Sequence, residues 1–118
     1  MIPRKLSPFD RQKLIDHFMN DIVDNDRRLR FGYDAPDESV KKYIEDSLYN
    51  FGVINMWFVI DEGDKIVASC HVSYCADTGT AEMGCTVSPD YRNQKIGQEL
   101  EVWSGASNSE YLRVFSPR

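Results

Sequence analysis

No apolar run in this 118-residue sequence approaches the ~20 residues that a membrane-spanning helix needs. Its opening, "MIPRKLSPFDR", lacks the apolar core of a secretory signal. Both absences lead us to expect a soluble, cytoplasmic protein with no membrane partner. A basic excess is lacking too: 14 Lys and Arg stand against 19 Asp and Glu, for a net charge of −5 and a pI of about 4.9. Nonspecific nucleic-acid binding leaves a positive footprint, so no nucleic-acid partner is expected. The basic strings at 4–6, 26–30 and 91–95 are the local exceptions. Metal-ligand spacing is also missing. The three cysteines, Cys70, Cys75 and Cys85, form no Cys-x-x-Cys pair and have only His17 and His71 for company. Odd in number and set in apolar runs, they read as free thiols of a reducing compartment, with no disulfide framework and no metal. There are no repeats, low-complexity segments or linkers, and the length suits one domain over 1–118 with a core that needs no staples.

What is present alternates between two periodicities. Residues 2–6 suit a short opening strand, ended by Ser7 and Pro8. From Asp10, a plausible N-cap, Leu14, Phe18 and Ile22 recur at helical spacing, with Ile15, Met19 and Val23 widening the stripe. Residues 24–37 are polar, contain Gly32 and Pro36, and read as a linking loop. A second helix is expected from Asp37, with Val40, Tyr43, Ile44 and Leu48 on one face. Then come β-rich runs at 53–60, 65–74 and 81–87, separated by turn residues at 61–64 and 76–80. They predict an antiparallel meander. Gly84 inside the third run marks either a bulge or a close approach of another group. A helix over 96–106 and a strand over 110–115 complete the order β-α-α-β-β-β-α-β, an α/β (α+β) arrangement.

The segment "VSPDYRNQKIGQEL" (87–100) joins the third run to that helix. A strand feeding a helix through a short loop aims free backbone N–H groups and the positive end of the helix dipole at one spot, which suits a pyrophosphate. Arg92 and Lys95 add charge, and Gly97 permits close backbone approach. On chemistry alone, an ordinary solvated loop explains the segment equally well.

Residues 81–100, "AEMGCTVSPDYRNQKIGQEL", resemble the acetyl-CoA-binding motif of the GNAT superfamily of N-acyltransferases, through Val87, Pro89, Tyr91, Arg92, Ile96, Gly97 and Leu100. The preceding helices and meander agree, and "DRRLRF" (26–31) resembles a string recurring in one bacterial branch of that superfamily. The resemblance implies a GNAT-like mixed sheet with a central antiparallel meander flanked by helices, C-terminally shortened because family members continue past the last strand seen here. It implies that an amine attacks acetyl-CoA directly, with the cosubstrate held by Thr86, Val87, Arg92, Asn93, Gln94, Lys95, Ile96, Gly97 and Gln98. Lys95 stands at the first glycine position of the cradle, where a left-handed backbone costs lysine about 1 kcal/mol and its ammonium can reach a phosphate. Glu82 is the candidate base, set against the alternative of an alternating strand carboxylate.

The remaining polar residues have plainer readings beside functional ones. His71 reads as a packing histidine or a proton carrier. Cys85 and His71 facing each other across a hairpin would suggest a thiol nucleophile. Tyr111 suits core packing, and Arg27, Arg28 and Arg30 suit a solvated face or the steering of an anionic substrate. Two functions follow: an N-acetyltransferase acting on a small-molecule or protein amine, or a catalytically weak module of the same fold serving as a binding protein. A final strand with an unpaired edge leads us to expect a homodimer.

Overall fold

The computed structural model describes residues 2–49, 54–92 and 112–114. A five-stranded sheet runs in chain order: β1 (Arg4–Lys5), β2 (Asn55–Glu62), β3 (Lys65–Cys75), β4 (Thr80–Val87) and β5 (Leu112–Val114). Neighbours are antiparallel from β1 to β4, whereas β5 pairs parallel to β4 through Ala81, Glu82 and Met83. Helices α1 (Arg11–Asn20), α2 (Asp24–Phe31) and α3 (Asp37–Tyr49) precede the meander. The expected helix over 96–106 and Tyr111 lie outside the described residues.

Helix α1 delivers the apolar stripe its sequence promises. Leu14, Phe18 and Ile22 pack with Val40 and Ile44 of α3 and with Trp57 and Val59 of β2. Phe18 and Trp57 meet edge to face at 6.0 Å between centroids. Full burial of each such side chain stabilises the fold by about 2 kcal/mol. Asp10 is the residue before α1, but its carboxylate does not cap that helix; it accepts from Ser7 N–H at 2.8 Å and closes a capping box around the 3-10 turn Pro8–Asp10. Arg4 bridges Asp10 and Asp61 at 2.8 and 2.6 Å, tying the first strand to both.

The expected loop over 24–37 is a correction: Asp24–Phe31 is helix α2. Arg27 explains it. Its guanidinium is buried and donates to the carbonyls of Phe18, Ile22 and Ala35, and it pairs with Asp37 at 2.7 Å. A cation thus satisfies carbonyls left open where α1 ends. Gly32, at φ 84°, then stops the helix in the left-handed region that glycine tolerates.

The β3–β4 register is unbroken through Gly84, with His71 opposite Gly84 and Cys70 opposite Cys85. There is no bulge at Gly84; the irregularity lies between β2 and β3, beside Ile60 and Asp61. Parity follows from this ladder. Trp57, Ser69, His71, Ser73, Glu82, Gly84 and Thr86 face the helices, whereas Phe58, Cys70, Met83, Cys85 and Val87 belong to a second apolar cluster on the opposite face. Among the described residues no helix is long and apolar enough to cross a membrane.

Candidate active site

Two helices and two strands bring four polar groups into one chain on the helix-facing side. Arg30, near the end of α2, donates through Nη2 to the Tyr43 hydroxyl on α3. That hydroxyl meets His71 Nδ1 at 2.5 Å, and His71 Nε2 meets Asn55 Oδ1 at 2.8 Å. One proton arrangement satisfies all three contacts: Tyr43 accepts from Arg30 and donates to Nδ1, and Nε2–H donates to Asn55. It requires a neutral imidazole, and burial, followed by the Arg30 charge, pushes the His71 pKa down to about 3. Burial likewise raises the Tyr43 pKa, with Arg30 opposing, so the phenol keeps its proton. Trp57 stacks on His71 at 4.4 Å with planes 10° apart and fixes the ring.

Arg30 is held between two aromatic rings. Its guanidinium carbon sits 5.1 Å from the Phe31 ring centre and 5.2 Å from that of Tyr43, a cation–π clamp. It lies directly over Gly84: a Cβ built there would come within 2.2 Å of the guanidinium carbon. Gly84 therefore marks a close approach, by a side chain. Arg30 Nε is buried with no hydrogen-bond partner among the described residues. All this surrounds a cavity of about 270 Å³, lined among others by Arg30, Phe31, Tyr43, His71, Glu82 and Gly84. A second cavity of about 570 Å³ shares Tyr43, His71 and Ser73 and reaches Tyr33 and Asp46.

Glu82 thus stands in a cavity with Arg30 and His71 and is half-buried. The pairing of Cys85 with His71 fails: the ladder puts the thiol on the opposite face, in the second apolar cluster. Thr86 directs its hydroxyl toward α1. There His17 Nε2 meets Thr86 Oγ1 at 2.8 Å, Ser69 Oγ meets it at 2.5 Å, and Ser88 Oγ lies 3.2 Å from His17 Nδ1. Ser88 donates to Asp21 at 2.5 Å. Contact with His17, supported by Ser88 and opposed by desolvation, holds the Asp21 carboxyl at about 2. Burial pushes His17 down, so this imidazole is neutral too. Val87 is buried, and its carbonyl accepts from Arg92 Nε at 3.1 Å. Arg92 also pairs with Asp26 at 2.9 Å. Asn93, Gln94, Lys95, Ile96, Gly97 and Gln98 lie outside the described residues. Among the described residues no group of His, Cys, Asp or Glu could hold a metal ion.

The sequence reading missed Arg30 and Tyr43 as site residues. It placed Arg30 with Arg27 and Arg28 on a solvated face, and that holds only for Arg28, which pairs with Asp34 on the surface. Once 24–31 is a helix, Arg27 and Arg30 fall three apart on its inner side.

The family model for the acetyltransferase (GNAT) family matches residues 19–101. No curated protein sequence matches the chain. Among solved structures, an acetyltransferase from Vibrio fischeri superposes with a TM-score of 0.64 at 15% identity, covering 98% of this chain and 96% of its own. An aminoglycoside N-acetyltransferase in complex with CoA gives 0.62 at 11% identity, over 98% of this chain and 76% of its own. A ribosomal-protein-alanine N-acetyltransferase from Brucella melitensis gives 0.59 at 16%, over 100% and 82%.

Proposed function

The chain belongs to the acetyltransferase (GNAT) family, and from that premise we propose that it transfers the acetyl group of acetyl-CoA to a primary amine, with Glu82 as the base. The observation that carries the proposal is the cavity that Glu82 lines together with Arg30, Tyr43 and His71, on the strand that leads into the Val87–Arg92 segment. The amine nitrogen attacks the thioester carbonyl; its bond to carbon forms as the carbon–sulfur bond breaks. The proton lost by nitrogen passes to Glu82, and the departing thiolate takes one from solvent. His71 is neutral and Tyr43 keeps its proton, so neither adds a charge to the cavity that Glu82 lines. In this reading the backbone at Thr86 and Val87 pairs with the pantetheine arm, and an N–H there stabilises the developing oxyanion. Arg92, at the start of the loop, would contribute charge toward the pyrophosphate.

One observation favours the rival reading of a weak binding module: Arg92 is already engaged by Asp26 and the Val87 carbonyl. Calorimetric titration with acetyl-CoA separates the two. Saturable binding is expected, weakened by Arg92→Ala, while Glu82→Gln keeps the binding and lowers turnover by about 100-fold or more. Absence of heat at millimolar acetyl-CoA would leave the binding module as the surviving reading.

A further inference from the structure

We propose that Cys70 and Cys85 form a redox site, a dithiol that closes into an intrachain disulfide linking β3 to β4. Both stand as thiols in the structure, and both are buried. The inference does not draw on the acyl-transfer reading, because the pair belongs to the apolar cluster on the sheet face opposite the Arg30–Tyr43–His71 chain.

Register carries the argument. Cys70 is the direct partner of Cys85 in the β3–β4 ladder. The Ser88 amide donates to the Val67 carbonyl at 2.8 Å, and these two residues continue that ladder one step beyond Ala68 and Val87. Hydrogen-bonded and non-hydrogen-bonded pairs alternate along an antiparallel ladder. Counting inward from Val67 and Ser88, Ser69–Thr86 is a hydrogen-bonded pair and Cys70–Cys85 is not. The other side of β3 agrees. The Tyr74 amide donates to the Ile54 carbonyl, which makes Phe58–Cys70 a hydrogen-bonded pair in the β2–β3 register. The backbone groups of Cys70 are thus turned toward β2. In a non-hydrogen-bonded pair the Cα atoms lie about 4.5 Å apart and the side chains approach most closely. That separation falls within the roughly 4.4–6.8 Å that a disulfide spans.

The surroundings favour closure over oxidation of one sulfur. The rungs Ala68–Val87 and Val72–Met83 flank the pair on the same face. A sulfenic acid there would bury a polar group among apolar ones, whereas a disulfide keeps the cluster apolar. The co-reactant is a low-molecular-weight disulfide such as oxidised glutathione. One protein thiolate attacks it, forming a mixed disulfide and releasing one glutathione. The second protein thiolate then displaces the other glutathione. One S–S bond forms in the protein as one is lost from the oxidant, and two electrons and two protons end on the two glutathione thiols. Burial makes the exchange wait for transient opening of the strands.

The test equilibrates the full chain, and Cys75→Ser to remove the third thiol, with oxidised glutathione. Acid quenching, alkylation in denaturant and peptide mapping then locate every thiol. Both proteins should lose two alkylatable thiols and yield a peptide linked through Cys70 and Cys85. Melting should rise by roughly 5–10 °C, because the link closes a loop from residue 70 to residue 85, and dithiothreitol should reverse the rise. Refolding from urea in the same buffer removes the barrier that burial imposes and should give the same product. Cys70 and Cys85 still alkylatable after that refolding would overturn the inference. So would glutathione retained on either of them, a link made through Cys75 between two copies in their place, or a Cys70–Cys85 link that lowers the melting temperature.

Discussion

On one face of one sheet, two buried histidines keep different company. His17 sits in a closed network: both ring nitrogens have hydroxyl partners, those hydroxyls reach Ser69 and Asp21, and among the described polar atoms of the cluster none is orphaned. His71 sits in an open one. Its partners lead through Tyr43 to Arg30, which lines a cavity and, among the described residues, has one unsatisfied N–H. Closed polar networks are what a fold needs in order to bury such groups at all. An unfinished network at a cavity wall is what a ligand completes. The comparison therefore sets a satisfied cluster around His17 against an Arg30–Tyr43–His71 set that opens on a cavity, although the two imidazoles look alike in composition and burial.

The largest expected effect breaks the closed cluster. His17→Ala removes the partner of the Thr86 and Ser88 hydroxyls and leaves a void, at a cost of about 3 kcal/mol. Thermal unfolding should move down by roughly 10 °C. Unchanged melting would remove the stabilising role given to the His17 cluster.

Acid should weaken both clusters. A histidine whose folded pKa lies below its ordinary value is neutral in the fold and protonated when unfolded. Its stabilisation is thus complete above pH 6.5 and is lost as the pH falls toward the folded value. For His71 that window runs from 6.5 down to about 3, with a slope of about 1.4 kcal/mol per pH unit. Denaturant midpoints measured across this range in the parent and in His71→Gln should differ in slope by one proton. Asp21 adds its loss last, between 3.8 and about 2.

The smallest effect on stability is the most selective. Gly84→Ala places a methyl group where the Arg30 guanidinium lies. Because that is the movable end of a long side chain, melting should fall by less than about 1 kcal/mol equivalent. The KM for the preferred acceptor should nonetheless rise about three- to tenfold, with acetyl-CoA affinity retained. Parental kinetics in Gly84→Ala would show that the position of Arg30 is immaterial.

Legibility in the sequence followed the strength of local patterns. The meander at 53–60, 65–74 and 81–87 became β2, β3 and β4 with ends shifted by one or two residues, because β-branched and aromatic runs between turn residues carry their own signal. The stripes of α1 and α3 were equally plain. Helix α2 was not, since "DNDRRLRF" has few apolar residues and is held by Arg27 reaching carbonyls of another helix end. Glu82 was named from the resemblance, yet its face stayed open until the register showed no bulge at Gly84. The supposed Cys85–His71 pair failed on the same parity.

By itself the sequence determined the strands of the meander, helices α1 and α3 and the family, because periodicity, turn chemistry and the Val87–Leu100 spacing are local. Only the tertiary structure decided which polar residues share a cavity. Arg30, Tyr43, His71 and Glu82 come from four separate elements, and their meeting depends on strand register and on how α2 docks over Gly84. Those are long-range choices, made by packing the two faces of the sheet, and no local window contains them.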